Sequence, residues 1–391
     1  MNTDRIVHIP LTGEESHVVR IPAGQGSLSI GTKGISKKKH EVWVEKDQPI
    51  NWDAFNELYT PYGKQNMEQF PYGDWPRFFY YSGNDMGFVE WSLKRPIEDF
   101  SWSVHDDVFV DLSRANIGRM FIHTEKNKIA VLIGNKIRSL TLSGQLDAFE
   151  IRKGSAMPAL SFRPLCSKEG IEPYKLPVFK AIKEAKYIDV GCPPIGQALD
   201  CRSLLQFPNL TALHLSGNLV HLEALAELKK LQSLQLRYVP DLTNLPKLTS
   251  WKSLKKFLGW NIEETAGKAL RAEGRKLLKE EKLVYFSVTK LRKSIWFTTE
   301  YGIPFEGWED KKAKIATKAY KACLSQVKKA KTESEVHDAI LNFVDAINKL
   351  PDIETSERED TGTAVSQLIE ASGLDIPQET GQKWFDEARD F

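Results

Sequence analysis

The sequence predicts an α/β solenoid in which a parallel sheet is preceded by a β-rich N-terminal cap and followed by an α-helical C-terminal region. Three observations lead to this class. Apolar triplets recur on a twenty-residue ruler, as Ile97-x-x-Phe100-x-Trp102, Ile117-x-x-Met120-x-Ile122, Ile137-x-x-Leu140-x-Leu142 and Met157-x-x-Leu160-x-Phe162. After a break the same signature returns with longer periods, as Leu210-x-x-Leu213-x-Leu215, Leu231-x-x-Leu234-x-Leu236 and, more weakly, Leu254-x-x-Phe257-x-Gly259. Beyond about residue 263 the apolar period becomes helical. A repeat of roughly 20 to 29 residues with an L-x-x-L-x-L core marks an array in which each repeat supplies one short strand. No single repeat can bury its apolar edge, so neighbours stack and function is expected on a long surface rather than in one pocket.

Residues 1–75 hold alternating stretches, His17–Ile21 and Glu41–Glu45, that read as strands. The glycine-rich segment Ala23–Gly34 superficially resembles a phosphate cradle, but no helical pattern follows it, and a hairpin or loop is expected there. This region is expected to cap the first repeat.

Residues 76–262 form the array, with repeats of about twenty residues to 176 and longer ones after. A second apolar strand per repeat is expected around Val89 and Trp91, Val108 to Leu112, Ile129 to Ile133, and Phe149 and Ile151. Leu219, Leu222, Leu225 and Leu228 predict an outer helix.

Residues 263–391 read as helical. Thr332-Glu-Ser-Glu335 is a capping box ahead of Val336, Ile340, Phe343 and Ile347 on one face. Helices are also expected from Ala313 to Val327, over 361–372 with a Gly373 stop, and around Trp384 and Phe385, with an apolar strand at Leu283–Val288.

Hydrophobic residues make up 41% and charged residues 27% of the 391, which is ordinary globular composition. The 54 basic and 52 acidic residues leave a formal charge of +2, with no net field to draw nucleic acid or an anionic membrane. The first twenty residues lack a basic segment followed by an apolar run, and no stretch approaches the length needed to span a bilayer. A cytoplasmic protein with no membrane association is expected. Cys166, Cys192, Cys201 and Cys323 show no C-x-x-C spacing, which suits a reducing compartment and argues against a structural zinc site or a Cys192–Cys201 disulfide.

The segment Leu210-Thr-Ala-Leu-His-Leu-Ser-Gly-Asn218 matches L-x-x-L-x-L-x-x-N in full, and Leu231-Gln-Ser-Leu-Gln-Leu-Arg-Tyr-Val239 matches it without the asparagine. Over about residues 180–262 the chain therefore resembles a divergent, bacterial-type leucine-rich repeat protein. The resemblance implies a curved solenoid whose strand face binds other macromolecules, usually proteins, and it implies no chemistry. The run from Ile353 to Asp360 is faintly similar to segments of bacterial repeat proteins found near toxin systems.

Nothing in the chain marks an enzyme: it has no G-x-S-x-G elbow, P-loop, H-E-x-x-H or kinase signature. His105, Asp106 and Asp107 are the first candidate metal ligands, but adjacent strand residues point to opposite faces, and a polar turn is the better reading. Glu354, Glu357, Glu359 and Asp360 fall where a helix begins, as its dipole favours. Cys323 has apolar helical neighbours and reads as core. No cofactor and no metal are expected.

The strand face carries more information. The leucine positions point inward, so the residues between and beside them face outward. One outward column is Ser101, Phe121, Thr141, Ser161, Asp189, His214, Gln235 and Leu258, and its neighbour is Ser103, His123, Ser143, Arg163, Gly191, Ser216, Arg237 and Trp260. The other flank adds Arg119, Tyr187 and Lys256. Aromatics on a solvated face are typical of binding hot spots. The candidate partner-binding residues are Arg119, Phe121, His123, Arg163, Tyr187, Asp189, His214, Gln235, Arg237 and Trp260. The competing reading is that the terminal regions fold over the ends and bury Phe121 or Trp260.

The expected function is non-enzymatic: a solenoid recognising a protein partner on its strand face, most specifically an immunity protein inhibiting a bacterial toxin or effector. The alternative is an effector or enzyme of unrecognised type that uses the array for targeting, with activity in the helical C-terminal region. Nucleic-acid binding through Lys37-Lys38-Lys39 and the helix from Lys268 to Lys282 is not expected, because acidic residues interleave with that helix.

Overall fold

The structure, a computed structural model, describes residues 4–36, 39–61, 72–152, 154 and 157–391. Lys37 and Lys38, named above for nucleic-acid binding, lie outside the described residues. The chain divides into two compact units, Met1–Ser294 and Ile295–Phe391.

The first unit is built on a twelve-stranded sheet. From one edge it runs Val42–Val44, Ser27–Thr32, Phe78–Ser82, Ile97–Ser103, Ile117–Thr124, Ser139–Gly144, Ala159–Pro164, Tyr187–Gly191, Ala212–Ser216, Ser233–Arg237, Lys256–Trp260 and Tyr285–Thr289. Every pairing in it is parallel. The register follows the triplets. Phe100, Met120, Leu140, Leu160, Ile188, Leu213, Leu234 and Phe257 stand opposite one another in turn, and Trp102, Ile122, Leu142, Phe162, Val190, Leu215 and Leu236 form a second ladder. All of these side chains are buried. Burying one such side chain stabilises the fold by about 1.5–3 kcal/mol, and a slip by one residue would turn the whole ladder to solvent.

Behind the first repeats lies a three-stranded parallel sheet of Val108–Asp111, Ile129–Leu132 and Phe149–Arg152. Val89 and Trp91, expected on a strand of that series, instead sit in the helix Gly87–Lys94. Trp91 packs there against Trp52, Phe55 and Phe79, so an aromatic cluster decides the local conformation. Leu222–Glu227 is a 3-10 helix rather than an α-helix. Three residues per turn puts Leu222 and Leu225 in one line; both are buried, as are Leu219 on the short strand before the helix and Leu228 at its C-cap.

The sheet also passes both boundaries placed from the sequence. Ser27–Thr32, inside the expected N-terminal hairpin or loop, is a strand paired with Phe78–Ser82, and Tyr285–Thr289 pairs beyond residue 262. The helix Glu264–Lys279 packs on that last strand, so the first unit ends at Ser294. The hairpin Arg5–Ile9 with His17–Ile21 reaches the sheet's edge, where His17 Nε2 lies 2.8 Å from the Trp43 carbonyl oxygen.

The second unit packs helices Asp310–Val327, Glu333–Asn348, Thr355–Ser372 and Gln378–Ala388 around Phe305, Trp308, Tyr320, Phe343, Leu368 and Phe385. The Thr332–Glu335 capping box is present. The third helix begins at Thr355, six residues before the expected start, because Glu354 and Glu357 form a further capping box. Cys323 is buried, its thiol pushed up to about 12 by desolvation. No helix among the described residues is long and apolar enough to cross a membrane.

Candidate functional site

Along the strands of the long sheet buried and half-exposed residues alternate, so one row of side chains in every strand faces away from the core. The outward columns stand in the register read from the repeat: Ser101, Phe121, Thr141, Ser161, Asp189, His214, Gln235 and Leu258 are successive partners. The ten candidate residues fall into two groups, separated by the strand Ser139–Gly144.

The larger group spans five consecutive strands and holds three sets of side-chain contacts. Arg163 Nη1 donates to Asp189 Oδ1 at 2.7 Å. The Tyr187 hydroxyl lies 2.8 Å from His214 Nδ1, with the two rings edge to face at 4.9 Å. Gln235, with its amide oxygen turned to the guanidinium, accepts from Arg237 Nη2 at 2.9 Å. The Arg237 guanidinium in turn stacks over Trp260 at 5.6 Å, and Trp260 meets Tyr238 edge to face at 5.1 Å. Trp260 is half-exposed. These contacts hold long side chains in one arrangement, which lowers the ordering cost of binding.

In the smaller group, Arg119 pairs with Asp99 at 3.0 Å, and burial pushes the Asp99 carboxyl above its ordinary value. His123 Nδ1 lies 3.2 Å from the Ser143 hydroxyl, and Phe121 is half-exposed between Ser101 and Thr141.

Two aromatic positions escaped the sequence reading. Tyr80 stands on the central column opposite Ser101 and is 53% exposed. It was legible in principle: Phe79 and Tyr81 precede Phe100 and Trp102 by 21 residues, one more than the ruler. Tyr238 follows its strand with φ of 53°, where the repeat before has Gly217 and the next has Asn261. A tyrosine in that left-handed position costs about 1 kcal/mol or more that glycine would avoid, and its ring is set against Trp260.

His105, Asp106 and Asp107 do not converge: they engage Ser82 Oγ, Asn84 Nδ2 and the Lys128 amide respectively. Among the described residues no group of three His, Cys, Asp or Glu is placed to hold a metal ion. Comparisons with known protein families, with curated proteins and with solved structures find no match.

Desolvation holds the His105 and His214 imidazoles below their ordinary pKa of 6.5. The unfolded chain therefore binds protons that the folded one refuses, and this stability is fully present above pH 6.5 and lost as the pH falls below it. The denaturation midpoint of the first unit is expected to drop on acidification from pH 7 to 5.5, by less in His214→Gln. An identical drop in that variant would remove His214 from the account.

Proposed function

We propose that the long parallel sheet is the strand face of a divergent leucine-rich-repeat-like solenoid, and that the protein is a non-enzymatic binding protein recognising a protein partner there. Its sharpest form is a cytoplasmic immunity protein that inhibits a bacterial toxin or effector. The observation that carries this reading is the row of mutually paired side chains from Arg163 to Trp260 on five consecutive strands. Aromatic and arginine side chains of this kind are enriched at interface hot spots. Five strands at about 4.8 Å spacing span about 20 Å, enough to anchor a protein.

The test is capture of the partner from the native host, identification by mass spectrometry, and titration calorimetry. Tyr187→Ala combined with Arg237→Ala is expected to weaken binding by about 2 kcal/mol, roughly thirtyfold. Stability is expected to stay within about 1 kcal/mol of the parent, since both side chains reach solvent. Unchanged affinity in a folded double variant would move the site off this face.

The separate core of the second unit supports the other reading, an effector or enzyme of unrecognised type that uses the array for targeting and carries its activity in the helical C-terminal region. The adjacent reading frame discriminates: a toxin gene favours the inhibitor and a secretion chaperone favours the effector.

A further inference from the structure

The other end of the same face holds a recess that shares only His123 with the partner-binding candidates and none of the group from Arg163 to Trp260. It occupies about 670 Å³ at the carboxyl ends of the parallel strands Phe78–Ser82, Ile97–Ser103 and Ile117–Thr124, beneath the segment that carries His40 and Lys46. Ligand sites are commonly 300–1,000 Å³, and open parallel sheets place them at strand carboxyl ends.

The walls are set by side chains already fixed. The His40 ring lies where a Cβ on Gly31 would be, so the bare glycine seats the imidazole against the sheet. His40 Nε2 is 2.6 Å from Ser36 Oγ, and its ring meets Trp43 edge to face at 5.2 Å. On the opposite side His105 Nε2 is 2.8 Å from Ser82 Oγ. Between these walls the ring of Tyr80 stands open, and the hydroxyls of Tyr80, Ser101 and Ser103 make no hydrogen bond among the described residues.

The charge of the lining selects the ligand class. Lys39, Lys46 and Lys126 line the recess together with Asp106 and Glu125, so neither an anion nor a cation meets a field of one sign. Hydroxyls and imidazoles both donate and accept, and an open phenol ring presents an apolar face with a polar tip. That combination suits a neutral ring compound bearing many hydroxyls. We propose that this recess binds a neutral saccharide unit, with Tyr80 as the platform under the sugar ring and Ser101, Ser103 and His105 as its hydrogen-bonding partners.

Saturation-transfer NMR on the full chain with cellotriose, maltotriose and tri-N-acetylchitotriose tests this, with co-sedimentation on cellulose and chitin to separate a free oligosaccharide from a polymer as the source. At least one sugar is expected to bind saturably. Tyr80→Ala is expected to weaken that binding about tenfold or more, and Ser103→Leu, which fills the recess, is expected to abolish it. Phe109→Ala, on the second sheet, is expected to leave it unchanged. The inference is overturned if no sugar or polymer binds, if both recess variants bind as the parent does, or if glycerol phosphate displaces the sugar. None of these variants lies on the strands from Tyr187 to Trp260, so failure here and failure of the protein-partner reading are separable.

Discussion

Gly217→Ala is expected to destabilise the first unit by about 3 kcal/mol or more, at the upper end of single-residue effects. Two costs add. Gly217 has φ of +98°, which an alanine adopts only at about 1–2 kcal/mol. A Cβ there would also overlap the carbonyl of Cys192 in the preceding repeat and lie 2.9 Å from the Pro193 oxygen. That backbone cannot withdraw, because Cys192 N donates to Ser216 O at 2.9 Å and Asn218 N donates to Pro193 O at 3.0 Å. Gly34 is the control: its φ is +73° but nothing lies within 4 Å of its Cβ position, so only the conformational cost remains. Denaturant midpoints of the two variants measure the difference. Equal losses would mean that the repeats do not stack as closely as the structure has them.

Lys312→Met is expected to cost the second unit about 3–5 kcal/mol and to leave the first unit's transition in place. Lys312 Nζ lies 3.0 Å from Glu357 Oε2 and donates to the Asp352 carbonyl at 2.7 Å, with the two paired side chains only 14% and 11% exposed. Removing the ammonium strands a buried carboxylate whose remaining partner is the Glu354 amide at 3.1 Å. Adding Glu357→Gln should recover most of the loss, since the amide oxygen still accepts from Glu354 while carrying no charge. A double variant no more stable than Lys312→Met would show that the lysine acts through packing of its stem. Calorimetric scans of the full chain resolve which transition moves.

Much of the sheet was legible because its information is periodic and local. The spacing from Met120 to Leu140 to Leu160 sets both which side chains are buried and which residues stand opposite one another, and hence the outward columns from Ser101 to Leu258. The helices around Thr332 and Gly373 were readable for a similar reason: a capping box and a left-handed stop act within one turn of chain.

The ends of the sheet were not readable in this way. Ser27–Thr32 has only Leu28 and Ile30 as its apolar alternation inside a glycine-rich segment, and its Gly31 stands where the His40 ring must fit, a demand made by a residue nine positions away. Leu222 to Glu227 became a 3-10 helix and Val89 to Trp91 an α-helix because the space between the strands and the aromatic cluster around Trp52 set the winding.

The sequence by itself determined the parallel sheet's repeating core, its register and the residues on its open face, since burial of regularly spaced apolar side chains admits only one alignment of neighbouring strands. Only the tertiary structure decided that the sheet extends to Ser27 and Thr289, that Arg163 meets Asp189 and Tyr187 meets His214, and that Tyr80 opens onto a recess. Those outcomes depend on groups brought together from distant stretches of chain, where hydrogen-bonding and packing partners are chosen by proximity in space and leave no period in the sequence.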